Sequence, residues 1–200
     1  MQLQWLGLSS FRIQTQQSTI ITDPYADSFG VTMPKLKADI IMVSDPNNPL
    51  TNNTKRLSGE AYVITGPGEY EVRQTFIYGI PASHTIYLIK DQGISLAVLG
   101  PLDTGLNNDQ LSKLEGADIL LLPVGTLNKE QRTVIVSQVE PRIIIPYLYK
   151  QSKVKMSLES LDVFLKEMGI KEPAVKDKFV VKAKDLPQAD TVVVVLSPTS

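Results

Sequence analysis

Hydrophobic and polar residues follow two different rhythms along this chain. In the first half, Phe11-Arg12-Ile13-Gln14 alternates apolar and polar side chains, the period of a strand with one covered face. That pattern, with the β-branched content around it, predicts short strands at Gln2–Leu8, Ser10–Thr15 and Thr19–Thr22. Ala38–Ser44 is almost continuous hydrocarbon, as expected of a strand covered on both faces. Strands are also predicted at Ala61–Thr65, Thr75–Ile80, Thr85–Lys90 and Ile94–Leu99, separated by Gly-Pro-Gly, Ile-Pro and Gln-Gly turns.

The second half switches to strand–helix alternation. Asn107 is placed to cap a helix through Leu114, and Asn128 with Gln131 forms a capping-box pattern for a helix reaching Val139. Asp118–Val124 and Arg142–Ile145 read as buried strands. Ser157–Met168 gives the clearest helical pattern: Leu158, Leu161, Phe164, Leu165 and Met168 share a face, and Gly169 ends it. Lys178–Val181 and Thr191–Leu196 complete the strands. Antiparallel strands followed by strand–helix units predict two packed sheets of mixed α/β class with helices outside.

Composition narrows the function. The 200 residues are 42% hydrophobic, enough for one domain spanning 1–200 with a substantial core. Charge is balanced, 20 Lys+Arg against 21 Asp+Glu, without a dense basic run; a nucleic-acid or anionic-membrane surface is therefore not expected. The N-terminus lacks a basic segment ahead of a secretory apolar core, and no apolar run approaches the roughly 20 residues of a membrane span. Without cysteine there are neither disulfides nor thiolate metal sites, which makes the cytoplasm the default location. A single histidine, His84, excludes a multi-histidine metal centre by counting, and no cofactor is expected.

Local motifs carry modest chemistry. Asp45–Asn53 is rich in Asp, Asn and Pro and reads as a solvated turn, or as a loop for a small ligand or partner. It fails as an EF-hand, because Leu50 and Arg56 occupy the positions that need Gly and Glu. Asn52-Asn53-Thr54 matches a glycosylation sequon, but no secretion signal accompanies it. Asp23, beside Pro24, is either a turn cap or a functional carboxylate. Glu69 and Glu71 belong to the Gly-Pro-Gly turn region and are expected in solvent. Asp103-Thr104-Gly105 has the aspartic-protease triplet, yet that chemistry needs two aspartates sharing a proton, and Leu106 is bulky for the following position.

Trp5-Leu6-Gly7, Phe11-Arg12-Ile13 and Ile21-Thr22-Asp23-Pro24 resemble the opening of small metallo-β-lactamase-fold hydrolases. The resemblance points to the stand-alone bacterial group related to ascorbate-phosphate lactonases. It continues through Gly66-Pro67-Gly68-Glu69-Tyr70-Glu71-Val72, Gly79-Ile80-Pro81, Leu99-Gly100, Leu120–Gly125 and Pro141–Pro146. It implies a four-layer αββα sandwich with an active site along one edge of the two sheets. In that family the strand matching Ala38–Ser44 delivers a metal-binding His-x-His-x-Asp-His motif, and the matching positions here hold Asp45, Asn47, Pro49 and Leu50. The family's bridging aspartate falls on Pro101 and its last histidine on Leu148, with Tyr149 retained beside it. His84 is either a remaining ligand or the first residue of the next strand.

Two functional readings follow. The leading one is a relative of these hydrolases without the zinc site, acting as a binding or scaffold protein for a protein partner or an active homologue. The alternative is a hydrolase with rebuilt chemistry, in which Asp23, Asp45, Glu69 or Asp103 hold a hard cation or act as acid and base without metal. Under the leading reading, Leu50 and Leu148 are expected to pack together across the former metal position, in a collapsed, largely apolar site to which Leu8, Pro49 and Pro101 also bring apolar side chains.

Overall fold

The computed structural model describes residues 1–199. In chain order the strands are β1 (Gln2–Gly7), β2 (Ser10–Gln14), β3 (Thr19–Thr22), β4 (Leu36–Lys37), β5 (Ile40–Met42), β6 (Leu57–Ser58), β7 (Tyr62–Ile64), β8 (Gly68–Val72) and β9 (Thr75–Pro81). They continue as β10 (Thr85–Asp91), β11 (Ile94–Val98), β12 (Ile119–Pro123), β13 (Ile143–Tyr147), β14 (Val175–Lys176), β15 (Phe179–Val180), β16 (Val192–Val193) and β17 (Val195–Leu196). The α-helices are α1 (Asn108–Leu114), α2 (Lys129–Val139) and α3 (Leu161–Glu167).

Two sheets face each other. The first has the order β15-β1-β2-β3-β5-β7 and the second β16-β13-β12-β11-β10-β9-β8. β1, β2 and β3 pair antiparallel, after which β3, β5 and β7 run parallel. The second sheet likewise passes from antiparallel hairpins, β8 to β11, into the parallel set β11, β12, β13 and β16. Parallel neighbours need crossovers, and α1 and α2 supply those joining β11 to β12 and β12 to β13. Both helices begin with the capping boxes legible in the sequence, Asn107 with Gln110 and Asn128 with Gln131.

Two apolar clusters form the core. One fills the space between the sheets, from Leu3, Trp5, Phe11, Ile20 and Met42 to Ile89, Ile145 and Leu148. The other lies between the second sheet and the helices, and all three α-helices contribute to it alone. Over the first sheet the outer layer has a different construction. Ile21 and Ile41 alternate with Ile20 and Ile40 and so face away from the interior, yet they are buried. Met33, Leu36 and Leu57, from the loop after β3 and the β4–β6 ribbon, belong to the same cluster. That layer is loop and ribbon rather than α-helix.

Several predicted elements shift. Gly68–Val72, read as turn with exposed glutamates, is the edge strand β8; Glu69 and Glu71 are exposed on it, while Tyr70 packs against the inter-sheet core. The predicted helix over Ser157–Met168 starts only at Leu161, capped by Ser160. Its missing first turn is drawn into tertiary pairing: Lys150 N donates to Glu159 O, and Glu159 N to Gly125 O. Thr191–Leu196 splits at Val194 into β16 and β17, which join different sheets.

Candidate functional site

The C-terminal ends of the parallel strands converge on one edge, together with the β1–β2 turn. Side chains tie these ends together through backbone carbonyls. Ser10 Oγ donates to Thr22 O at 2.7 Å, Ser9 Oγ to Leu50 O at 2.6 Å, and Tyr87 OH to Val43 O at 2.9 Å. Tyr147 OH donates to Gly100 O, linking β13 to the end of β11. Three residues here have left-handed backbones without being glycine: Leu8 (φ 46°), Asp23 (φ 41°) and Leu148 (φ 52°). A leucine in that conformation is strained, and such strain concentrates at functional sites.

A buried polar stratum lies beneath this edge. Asp23, 1% exposed, accepts a 2.7 Å hydrogen bond on Oδ1 from Ser44 N, joining the ends of β3 and β5. Burial raises its pKa to about 7; the Ser44 N–H and then the Ser44 hydroxyl oppose this, and the Asp45 charge adds to it. Ser44 Oγ is buried and, among the described residues, forms no well-aligned hydrogen bond. Burial and the Asp23 charge push the Tyr147 phenol well above its ordinary range, and Tyr87 responds in the same direction. His84 Nε2 lies 2.7 Å from Leu99 O. A carbonyl only accepts, so Nε2 carries the proton.

Gly100 makes this packing possible. Its φ is 65°, and a Cβ there would lie 2.8 Å from His84 Nε2 and 3.0 Å from Ser44 Oγ. Gly100→Ala should therefore lose about 2 kcal/mol of stability in urea denaturation, from left-handed strain plus overpacking. An unchanged midpoint would show that neither the left-handed backbone nor the contacts with His84 and Ser44 constrain this position.

The structure separates the residues singled out from sequence. Leu50 (5% exposed) and Leu148 (0%) are buried in the inter-sheet cluster with Leu8. Asn47, Pro49 and Asp103 are exposed, and Asp45 and Pro101 half-buried. Asp45 Oδ1 accepts from Asn47 N at 2.9 Å, the local turn expected of an Asp-Pro-Asn segment. Asp45 and His84 share a recess of about 250 Å³, whereas Tyr149 lines a different cavity. Asp23, Ser44, Tyr147 and Gly100 build the interior of the site; only Asp23 was singled out from sequence. Ser44 read as an ordinary strand end, Tyr147 fell beyond the predicted strand Arg142–Ile145, and only Gly100, directly after an apolar strand, carried a local signal.

A zinc ion needs three or four nitrogen, sulfur or carboxylate donors. Pro49, Leu50, Pro101 and Leu148 have no donor atom in their side chains, and Leu50 and Leu148 are core residues. His84 commits Nε2 to a backbone carbonyl. Among the described residues no three His, Asp or Glu side chains form a group able to hold a metal ion. The residues present do not fit the family's zinc.

Comparison with known proteins gives the fold a lineage. A structure from Thermotoga maritima, proposed to be a Zn-dependent hydrolase of the metallo-beta-lactamase superfamily, superimposes with a TM-score of 0.83 at 26% identity, covering 98% of this chain and 100% of its own. Igni18, a metallo hydrolase from Ignicoccus hospitalis, matches with a TM-score of 0.68 at 16% identity over 90% of this chain and 99% of its own. A proposed metal-dependent hydrolase from Parabacteroides distasonis gives 0.60 at 21% identity, over 84% and 89%. No curated protein sequence matches significantly. The model of the beta-lactamase superfamily domain matches residues 2–148, most of the chain and every strand end that forms this edge. With the two-sheet architecture and its neighbours in agreement, the chain belongs to the metallo-β-lactamase superfamily.

Proposed function

We propose that this protein is a non-catalytic member of the superfamily, a cytoplasmic binding or scaffold protein whose partner is another protein or an active homologue. One observation carries the reading: the strand-end residue Leu148 holds a strained left-handed backbone, φ 52°, while its side chain is hydrocarbon sealed into the core. The strained turn presents a side chain that has no metal-binding atom. The rebuilt-hydrolase alternative needs converging carboxylates, and its candidates are dispersed. Asp23 is buried under the edge, Asp45 lies near it but in a separate recess with Oδ1 held by Asn47 N, Asp103 is in solvent, and Glu69 lies on β8 by a cavity shared with Lys90 and Lys113. No helix is long and apolar enough to cross a membrane among the described residues.

Elemental analysis of the purified protein tests the reading directly. Less than about a tenth of an equivalent of zinc per chain is expected, and melting curves with and without excess EDTA should coincide, because burial rather than metal supplies the folding energy. One or two tightly held zinc ions would sink it.

Restoring a ligand alone should not restore chemistry. Leu148→His should cost about 2–3 kcal/mol, since it replaces buried hydrocarbon with a ring that has no partner. Hydrolysis of phosphodiester, lactone and thioester substrates should stay at background. A variant as stable as the parent would mean that Leu148 is not packed as described.

A further inference from the structure

We infer that the cavity between the loop after β3 and the loop after β13 is a binding site for a small organic carboxylate with an apolar body. This rests on the non-catalytic binding reading and names the ligand class. The cavity encloses about 610 Å³ and is walled by Leu6, Tyr25, Val31, Tyr149, Gln151 and Lys153, among others. Drug-sized ligands occupy pockets of roughly 300–1,000 Å³ with mainly apolar and aromatic walls and few polar groups.

The walls are fixed in place by the backbone. Lys155 N donates to Phe29 O at 2.8 Å, joining the two loops. Gly30, with φ 87°, lets them touch: a Cβ there would come within 2.3 Å of Lys153 O. Gly7 does the same on the β1 side, where a Cβ would be 2.9 Å from the Tyr25 phenol oxygen that donates to Leu6 O. Thr199 N closes the third side by donating to Trp5 O at 2.8 Å. A ligand would therefore meet a preformed shape and lose little to ordering the loops.

Charge and hydrogen bonding choose the head group. Lys153 is the one charged side chain lining the cavity among the described residues. Lys150 and Lys155 flank it, all three are exposed, and none takes part in an ion pair among the described residues. Gln151 Nε2 is buried without a hydrogen-bond partner among the described residues. A carboxylate forms a charge-assisted hydrogen bond with the Lys153 ammonium, and its small head group suits a wall whose other lining side chains are uncharged. The Tyr25, Tyr149, Leu6 and Val31 walls then take the hydrocarbon.

Trp5, the only tryptophan, has its ring 5.0 Å from that of Tyr149 and so reports on the cavity by fluorescence. Octanoate, 1-octanol and acetate are titrated against the full chain by fluorescence and calorimetry. Octanoate should bind saturably at one site per chain, at least tenfold more tightly than either control. Lys153→Gln should bring octanoate down to the level of octanol. Val31→Trp should abolish binding with the melting temperature retained; Ser152→Trp fills the cavity from the other wall should the first variant misfold. Non-saturable binding, equal affinity for octanol, or octanoate binding that survives both fillers would overturn the assignment. The zinc measurement is independent: absent octanoate binding with zinc-free protein removes the ligand class alone, whereas tightly held zinc removes the reading beneath it.

Discussion

Arg132→Ala should destabilise the protein by about 3–5 kcal/mol, the usual loss when one partner of a buried ion pair is removed. The Arg132 side chain is 2% exposed although it sits on α2. Its guanidinium forms a two-pronged pair with Glu167 on α3, Nη2 to Oε1 at 2.6 Å and Nε to Oε2 at 3.0 Å. Nη1 donates to Glu159 Oε2 at 2.7 Å, to Val124 O at 2.7 Å and to Leu127 O. One side chain thus joins the end of β12, the start of α2, the loop after β13 and α3. Truncation leaves Glu167, 15% exposed, and two carbonyls without their donor. Arg132→Lys should recover only part of the loss, because a single ammonium cannot reproduce the fork. Urea denaturation measures both, and an alanine variant within about 1 kcal/mol of the parent would show that water replaces the network.

Asp23→Asn should instead stabilise the protein, and only towards neutral and alkaline pH. Folding raises the Asp23 pKa from 3.8 to about 7, with burial as the main cause. Below about pH 4 the carboxyl is protonated in both states, and the folded protein keeps the full contribution. Between about 4 and 7 the unfolded chain ionises first, so stability falls as pH rises, and above about 7 the loss is complete. Holding the carboxyl protonated up to neutrality corresponds to a loss of about 4 kcal/mol, as an order of magnitude, once the pH exceeds that point. Asparagine keeps the acceptor for Ser44 N, tolerates the left-handed backbone, and offers an N–H towards Ser44 Oγ, which has no well-aligned hydrogen bond among the described residues. Melting curves of parent and variant should therefore run together near pH 4 and separate by about 10 °C at pH 8. Parallel curves across this range would mean that Asp23 is not the buried acid described.

The family and the strand order along the chain were legible because they rest on local pattern. Apolar runs, capping boxes and glycine or proline punctuation survive in sequence whatever the partner strand is. Side-chain chemistry is equally local: Pro49, Leu50, Pro101 and Leu148 offer no side-chain donor under any fold. Strand β8 escaped because Gly68-Glu69-Tyr70-Glu71-Val72 is polar on its outer face and takes its pairing entirely from β9. The first turn of the helix predicted from Ser157 was lost to hydrogen bonds with Gly125 and Lys150, which periodicity cannot show.

The sequence by itself determined that positions 49, 50, 101 and 148 carry no metal-binding side chain, since side-chain type is fixed before folding, and it determined the alternation that makes two sheets. Only the tertiary structure decided what surrounds those positions. It buried Asp23 against Ser44 and so moved an ordinary carboxyl towards neutrality. It turned Arg132, one polar residue on a helix, into the tie among four segments. It also closed the Tyr25–Thr32 and Tyr149–Lys153 loops around a common cavity. Each result depends on groups tens of residues apart meeting where water is excluded, and dielectric environment and hydrogen-bond completion exist only after they meet.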